Sequence, residues 1–220
     1  MKLANNLFFY PEKGMFDCNT YVITDGPGVI MDPGNPAFLS IKVDEMRGDG
    51  IGPGDIGFIA NTHLHGDHVA ANETFKELSG ARIALHPVQK KHYNAVVVDA
   101  ARFFGMKPLE FTEDFMLDEG TWTVGETVLE MIPAPGHSPD CVCYYNRPDR
   151  VLICGDVVFM QSTGRVDLPG GSRDDMLKSI DELSKLDVEF LLPGHMDIVD
   201  GAEHVAMNFE FVRRNVLPWL

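Results

Sequence analysis

Short apolar runs and amphipathic stretches alternate along the chain, and their two periods separate strand-like from helix-like segments. Leu7–Phe9, Thr20–Thr24 and Gly28–Met31 read as strands, the last two joined by a turn containing Gly26. Pro36 to Met46 reads as a helix ending in Gly48, and Ile56–Ala60 is a short apolar run suited to a buried strand. A helix is expected near Asp67–Leu78, with Ala71, Phe75 and Leu78 at helical spacing, followed by a strand over Arg82–Leu85. Pro87 to Phe104 reads as helix interrupted by the β-branched Val96 to Val98, and Phe115 to Ile132 as β-structure broken by Gly120 and Gly125. Cys141–Tyr145 and Val151–Cys154 form a predicted hairpin around Asn146-Arg147-Pro148-Asp149. Ser172, with Asp175 three residues later, caps a helix whose apolar stripe is Met176, Leu177, Ile180 and Leu183. Glu189–Leu192 is the expected last strand and Ala202–Val216 the expected last helix.

A hairpin-rich early half followed by strands separated by helices predicts an α/β sandwich, sheets inside and helices outside. The 220 residues contain no low-complexity tract or linker and read as one domain, 1–220. The net charge of −15 argues against nucleic acid or an anionic membrane as partner, and Lys90-Lys91 and Arg213-Arg214 are the longest basic runs. No apolar run reaches the roughly 18 residues of a membrane span, and the N-terminus lacks the charged-then-apolar pattern of a signal peptide. The four cysteines, Cys18, Cys141, Cys143 and Cys154, form no CxxC pair and read as buried, reduced thiols of a cytoplasmic protein.

The densest chemistry lies in Asn61-Thr62-His63-Leu64-His65-Gly66-Asp67-His68, where three imidazoles and a carboxylate fall within six residues. His63 and His65 point the same way on an extended strand end, Gly66 permits a sharp turn, and Asp67 and His68 open a helix. Such ligands suit zinc, iron or manganese, but one segment has too few for two ions. Three later sites each put a His or Asp beside glycine after an apolar segment: Gly136-His137, Gly155-Asp156 and Gly194-His195. Ligands carried on loops at strand ends are the arrangement an α/β active site uses. His86, His92 and His204 lack both glycine and cluster and read as structural.

His63-Leu64-His65-Gly66-Asp67-His68 resembles the HxHxDH signature of the metallo-β-lactamase superfamily, with His137, Asp156 and His195 in the order of its remaining ligands. Asp32, in Met31-Asp32-Pro33-Gly34, resembles its early Asp-Pro/Thr-Gly motif. The resemblance runs from about Leu7 to His195 and implies an αββα sandwich with metals at one edge of the sheets. It implies a first ion on His63, His65 and His137, a second on Asp67, His68 and His195, Asp156 between them, and Asp32 orienting a ligand imidazole. Gly164-Arg165-Val166-Asp167-Leu168-Pro169-Gly170-Gly171 further resembles the GRxDxPGG stretch of glyoxalase II-like hydrolases, although Arg165 and Asp167 also suit an internal salt bridge. A departure follows His195, where only 25 residues remain and Arg213 and Arg214 are the only basic ones.

The resemblance therefore implies two divalent ions, zinc first, with iron or manganese as alternatives. Hydroxide made on them would attack a small-molecule thioester or ester, with Asp67 orienting the water. Phe16, Phe103, Phe104, Met106, Phe159 and Met160 are candidate pocket walls, and His92 to Phe115 a candidate flap. The main rival is a persulfide dioxygenase with one iron on His63, His137 and Asp156; a lactone or β-lactam substrate is another. Net charge disfavours an RNA-processing nuclease, and His65 stands where flavodiiron proteins generally place Glu. All seven ligand positions are filled, which argues against a metal-free scaffold.

Overall fold

Within single strands, odd and even side chains enter different cores. In Val142–Asn146, Val142 and Tyr144 pack between the two sheets, whereas Cys143 and Tyr145 face helices. Leu7–Tyr10 divides likewise, with Leu7 and Phe9 between the sheets and Phe8 and Tyr10 under helices. Because a strand's side chains alternate between faces, burial on both sides gives unbroken apolar runs. The computed structural model describes residues 1–4 and 6–220.

The first sheet has seven strands in chain order: β1 (Lys2–Ala4), β2 (Leu7–Tyr10), β3 (Thr20–Ile23), β4 (Val29–Met31), β5 (Phe58–Ala60), β6 (Arg82–Leu85) and β7 (Phe115–Met116). β1 to β4 are antiparallel, and β4 to β7 run parallel. The second sheet uses β8 (Thr121–Val124), β9 (Thr127–Pro133), β10 (Val142–Asn146), β11 (Val151–Gly155), β12 (Phe190–Pro193) and β13 (Val199–Asp200), in the order β13-β12-β11-β10-β9-β8. There β11 and β12 are parallel neighbours. The helices are α1 (Pro36–Gly48), α2 (Gly66–Val69), α3 (Asn72–Ser79), α4 (Pro87–Tyr93), α5 (Ala100–Phe103), α6 (Arg173–Leu183) and α7 (Ala202–Asn215). Leu39, Val43 and Met46 of α1 and Phe75 of α3 cover the first sheet. Met176, Ile180 and Leu183 of α6 and Val205, Phe209 and Val212 of α7 cover the second. The result is the expected αββα sandwich.

Several expected boundaries move, each for a tertiary reason. The helix foreseen over Asp67–Leu78 is two helices, because the loop after β4 takes the backbone groups at the break: Gly34 N–H donates to His68 O and Ala71 N–H to Gly34 O. Pro87 to Phe104 stays helical, but Asn94–Asp99, which holds the three valines, widens into a π turn. Val96 and Val97 thereby pack with Leu64, Val69 and Leu85. Ile56–Ala60 shortens to β5 after a 3-10 turn at Pro53–Asp55. The strand expected over Glu189–Leu192 is β12, and it is not the last, since β13 pairs with it.

Lys42, on the buried face of α1, is fully excluded from solvent. Its ammonium donates to Asp17 Oδ1 at 2.8 Å, Cys18 O at 2.8 Å and Thr20 Oγ1 at 2.9 Å, which uses all three protons. Asp17 also accepts from the Lys13 and Asn35 amides, so this ion pair locks the β2–β3 loop onto α1. Lys42→Met leaves a buried carboxylate without its cation and is expected to cost about 3–5 kcal/mol. Urea unfolding checks this; an unshifted midpoint would contradict it. The cysteines are all buried free thiols, and burial pushes Cys18 up to about 11 and Cys154 up to about 12. Among the described residues, no helix is long and apolar enough to cross a membrane.

Candidate metal centre

Strand direction gathers the polar groups at one end of the sandwich. Parallel β4 and β5 deliver Asp32 and the His63–His68 segment just past their C-terminal ends. In the second sheet β9, β11 and β12 share one direction and deliver His137, Asp156 and His195. All seven expected ligands converge. His63, His65 and His137 form one group with ligand atoms within 4.8 Å of one another, and Asp67, His68 and His195 form another. Asp156 lies between them: Oδ1 is 3.4 Å from His68 Nε2, and Oδ2 is 3.4 Å from His137 Nε2 and 3.5 Å from His195 Nε2. Gly66 does not make a left-handed turn; His65 is extended and caps α2, which Gly66 begins.

Hydrogen bonds fix which nitrogen four of the rings present, since an N–H tied outward leaves the other nitrogen's lone pair facing in. His68 Nδ1 donates to Asp32 Oδ2 at 3.0 Å, His137 Nδ1 to Arg165 O at 2.7 Å and His195 Nδ1 to Glu12 Oε2 at 2.8 Å. His63 Nδ1 lies 3.2 Å from Thr62 Oγ1, whose own proton goes to Asp32 Oδ2 at 2.7 Å. Four imidazoles thus turn Nε2 inward, and His65 turns Nδ1 inward, 3.1 Å from His63 Nε2 and 2.8 Å from His137 Nε2. Two nitrogens bound tetrahedrally to one ion would be about 3.3 Å apart, close to this spacing. The buried atoms His68 Nε2 and Asp156 Oδ1 have no hydrogen-bond partner, although native proteins pair almost all such atoms. Inward lone pairs and orphaned buried atoms fit divalent cations in both groups.

The electrostatics agree. Burial, with the neighbouring imidazoles, pushes His63 well below its usual value and His65 down to about 4, so both are neutral donors. Burial opposes charge on His68 and His195 too, but their neighbours outweigh it: Cys18, Asp32 and Asp156 hold His68 high, and Asp67 and Asp156 hold His195 at about 9. Burial alone would raise Asp156 and Asp67; the imidazoles keep both low. The carboxylates therefore demand positive charge, which protons or metal cations can supply. The fit is tight enough that a Cβ at Gly194 would run into the Asp156 carboxylate and the His68 ring, so only glycine lets β12 pass there.

Asp32, buried at a left-handed φ of 53°, also accepts the Thr62 amide at 2.8 Å, tying β4 to the ligand segment. Sequence reasoning missed Glu12, which grips His195 from 183 positions away; a lone Glu in a Pro11-Glu12-Lys13 loop carries no signal. Glu12→Ala should weaken metal binding about 10–100-fold while sparing the fold, as outward partners of ligand imidazoles do; chelator competition measures it. Phe159 is buried with its ring 5.9 Å from that of His195, whereas Met160 packs into the helix-side core. Phe16, Phe103, Phe104 and Met106 are exposed. The candidate flap is anchored by Tyr93, Leu109 and Phe111 against Leu64 and Val69, beside the ligand segment. Arg165 and Asp167 pair with each other, His204 bonds Asp200 O, and His86 caps α4.

Comparison with known proteins gives a consistent result. The model of the Metallo-beta-lactamase superfamily matches residues 14–195. A probable metallo-hydrolase of Methanocaldococcus jannaschii is 30% identical over 190 residues, covering 84% of this chain and 90% of the relative. Glyoxylase B2 of Dictyostelium discoideum is 31% identical over 140 residues, 59% of this chain and 45% of that protein. The crystal structure of the BLEG-1 B3 metallo-beta-lactamase superposes with a TM-score of 0.78 and 27% identity, covering 94% of this chain and 99% of its own. TTHA1623, solved in a di-iron-bound form, gives a TM-score of 0.73 and 27% identity over 93% of this chain and 97% of its own.

Proposed function

The chain belongs to the metallo-beta-lactamase superfamily, and on that premise we propose that it is a metal-dependent hydrolase holding two divalent cations and cleaving a small-molecule thioester. One observation carries this reading: Asp156 presents oxygens at 3.4–3.5 Å to imidazoles of both ligand groups, with its buried Oδ1 unpartnered. His63, His65 and His137 would hold one cation and Asp67, His68 and His195 the other, with Asp156 shared. Zinc is the first expectation, and the di-iron form of TTHA1623 keeps iron as the alternative.

When bound, the cations supply Lewis acidity that makes water nucleophilic near neutral pH and draws charge from an attacked carbonyl. The chain's own groups do the rest. Asp67, held ionised by His195, is half-buried and can orient an attacking water and accept its proton. His65, Asp67 and His195 are the half-buried members of the cluster, so substrate meets the site on their side. A thioester suits this arrangement because a thiolate leaves without a protonated side chain. The Gly164–Gly171 stretch, which resembles that of glyoxalase II-like hydrolases, lies against the centre, where the Arg165 carbonyl fixes the His137 ring. The partial similarity to a glyoxylase points the same way. Arg213 and Arg214, the arginines that follow His195, pair with Asp181 and Glu210 on the protein surface. The free, buried thiols support a cytoplasmic location.

Elemental analysis together with hydrolysis of thioesters, lactones and a β-lactam tests the reading. Two metal ions per chain and fastest turnover of a thioester are expected. One iron per chain with oxygen consumed on glutathione persulfide would replace the hydrolase by a dioxygenase, and β-lactam turnover alone would move the substrate class.

A further inference from the structure

Asp140 is a carboxylate with no solvent exposure that the reaction does not use. Its Oδ2 accepts the Leu64 amide at 2.9 Å, and its Oδ1 accepts the Ser138 hydroxyl. Leu64 stands between His63 and His65, and Ser138 follows His137. One side chain therefore joins the backbone that carries two imidazoles of the first group to the residue beside the third. His63 and His65 extend from the first sheet and His137 from the second, so neither sheet's own hydrogen-bond ladder sets the distance between them. The Val142 amide donating to Thr62 O at 2.7 Å ties the same segments at the residue before His63. A buried carboxylate served by two neutral donors is a costly way to join two loops if packing were its only purpose.

We propose that Asp140 is a positioning residue that sets the spacing of His63, His65 and His137 and so the metal affinity of that group. Among the described residues, the hydrogen bonds of its side chain go to Leu64 and Ser138 and not to the Asp67, His68 and His195 group. The inference rests on the two-cation reading. Asparagine can replace the aspartate, its Oδ1 accepting the Leu64 amide and its Nδ2 donating to Ser138 Oγ. Leucine has a similar shape and makes neither bond.

The test titrates zinc into full-length wild type, Asp140→Asn, Asp140→Leu and Ser138→Ala against a chelator, and follows thermal unfolding of the metal-free forms. Wild type should show two binding steps. Asp140→Leu should weaken one of them about 10–100-fold, the step that His65→Ala also weakens and Glu12→Ala does not. Asp140→Asn should restore that step, and Ser138→Ala should weaken it by a smaller factor. Should Asp140→Leu not fold, rescue by Asp140→Asn and the Ser138→Ala shift decide the matter. Wild-type affinities in Asp140→Leu, or in Ser138→Ala if that variant must stand in, overturn the proposal. Equal weakening of both steps alongside a lower metal-free melting temperature also overturns it and makes Asp140 a brace of the fold. A wild type that binds fewer than two ions defeats the two-cation reading first, before any variant is compared.

Discussion

Asp156→Asn is expected to lower kcat/KM for the substrate by more than about 10³-fold, over about 4 kcal/mol of transition-state stabilisation, and to leave less than two ions bound per chain. Asp156 presents carboxylate oxygens to imidazoles of both ligand groups. The amide is nearly isosteric, so the close passage of Gly194 is preserved, but the negative charge shared between the groups is gone. Cations in the two groups would then no longer share that carboxylate. Asp156 belongs to none of the apolar cores, so the sandwich should persist, and circular dichroism should show unchanged secondary structure. Wild-type turnover with two ions retained would remove Asp156 from its central place.

Asp67→Asn is expected to spare folding and cut hydrolysis about 10²–10⁴-fold, the usual contribution of a positioned proton acceptor. Asp67 lies in the short helix α2, half-buried, with its carboxylate 3.4 Å from His195 Nε2. The amide cannot accept the water's proton, and it is a poorer metal ligand. A fall in kcat at nearly constant KM would mark loss of an interaction made in the transition state. Turnover unchanged from wild type would mean that another group handles the water.

Much of the centre was legible because its ligands crowd together. Three imidazoles and a carboxylate between His63 and His68 have no ordinary structural use, and a glycine precedes each of His137, Asp156 and His195; of these, Gly194 passes directly against the Asp156 carboxylate and the His68 ring. Asp32 was legible only through its motif. Glu12 and Asp140 were not legible, because each acts on a ligand far away in sequence and sits in no recurring pattern. Strands such as Val142–Asn146 were found as apolar runs, but the two destinations of their alternate side chains were hidden, since both are apolar.

The sequence by itself determined the layers and the residue types gathered at the candidate centre. Hydrophobic period and run length are local properties, and ligand type is written into each side chain. Only tertiary structure decided the break between α2 and α3, the π turn at Asn94–Asp99, the short edge strands and the outward partners that aim the His63, His68, His137 and His195 rings. Those features come from backbone and side-chain groups finding partners across the sandwich. A partner's distance in space has no counterpart in its distance along the chain.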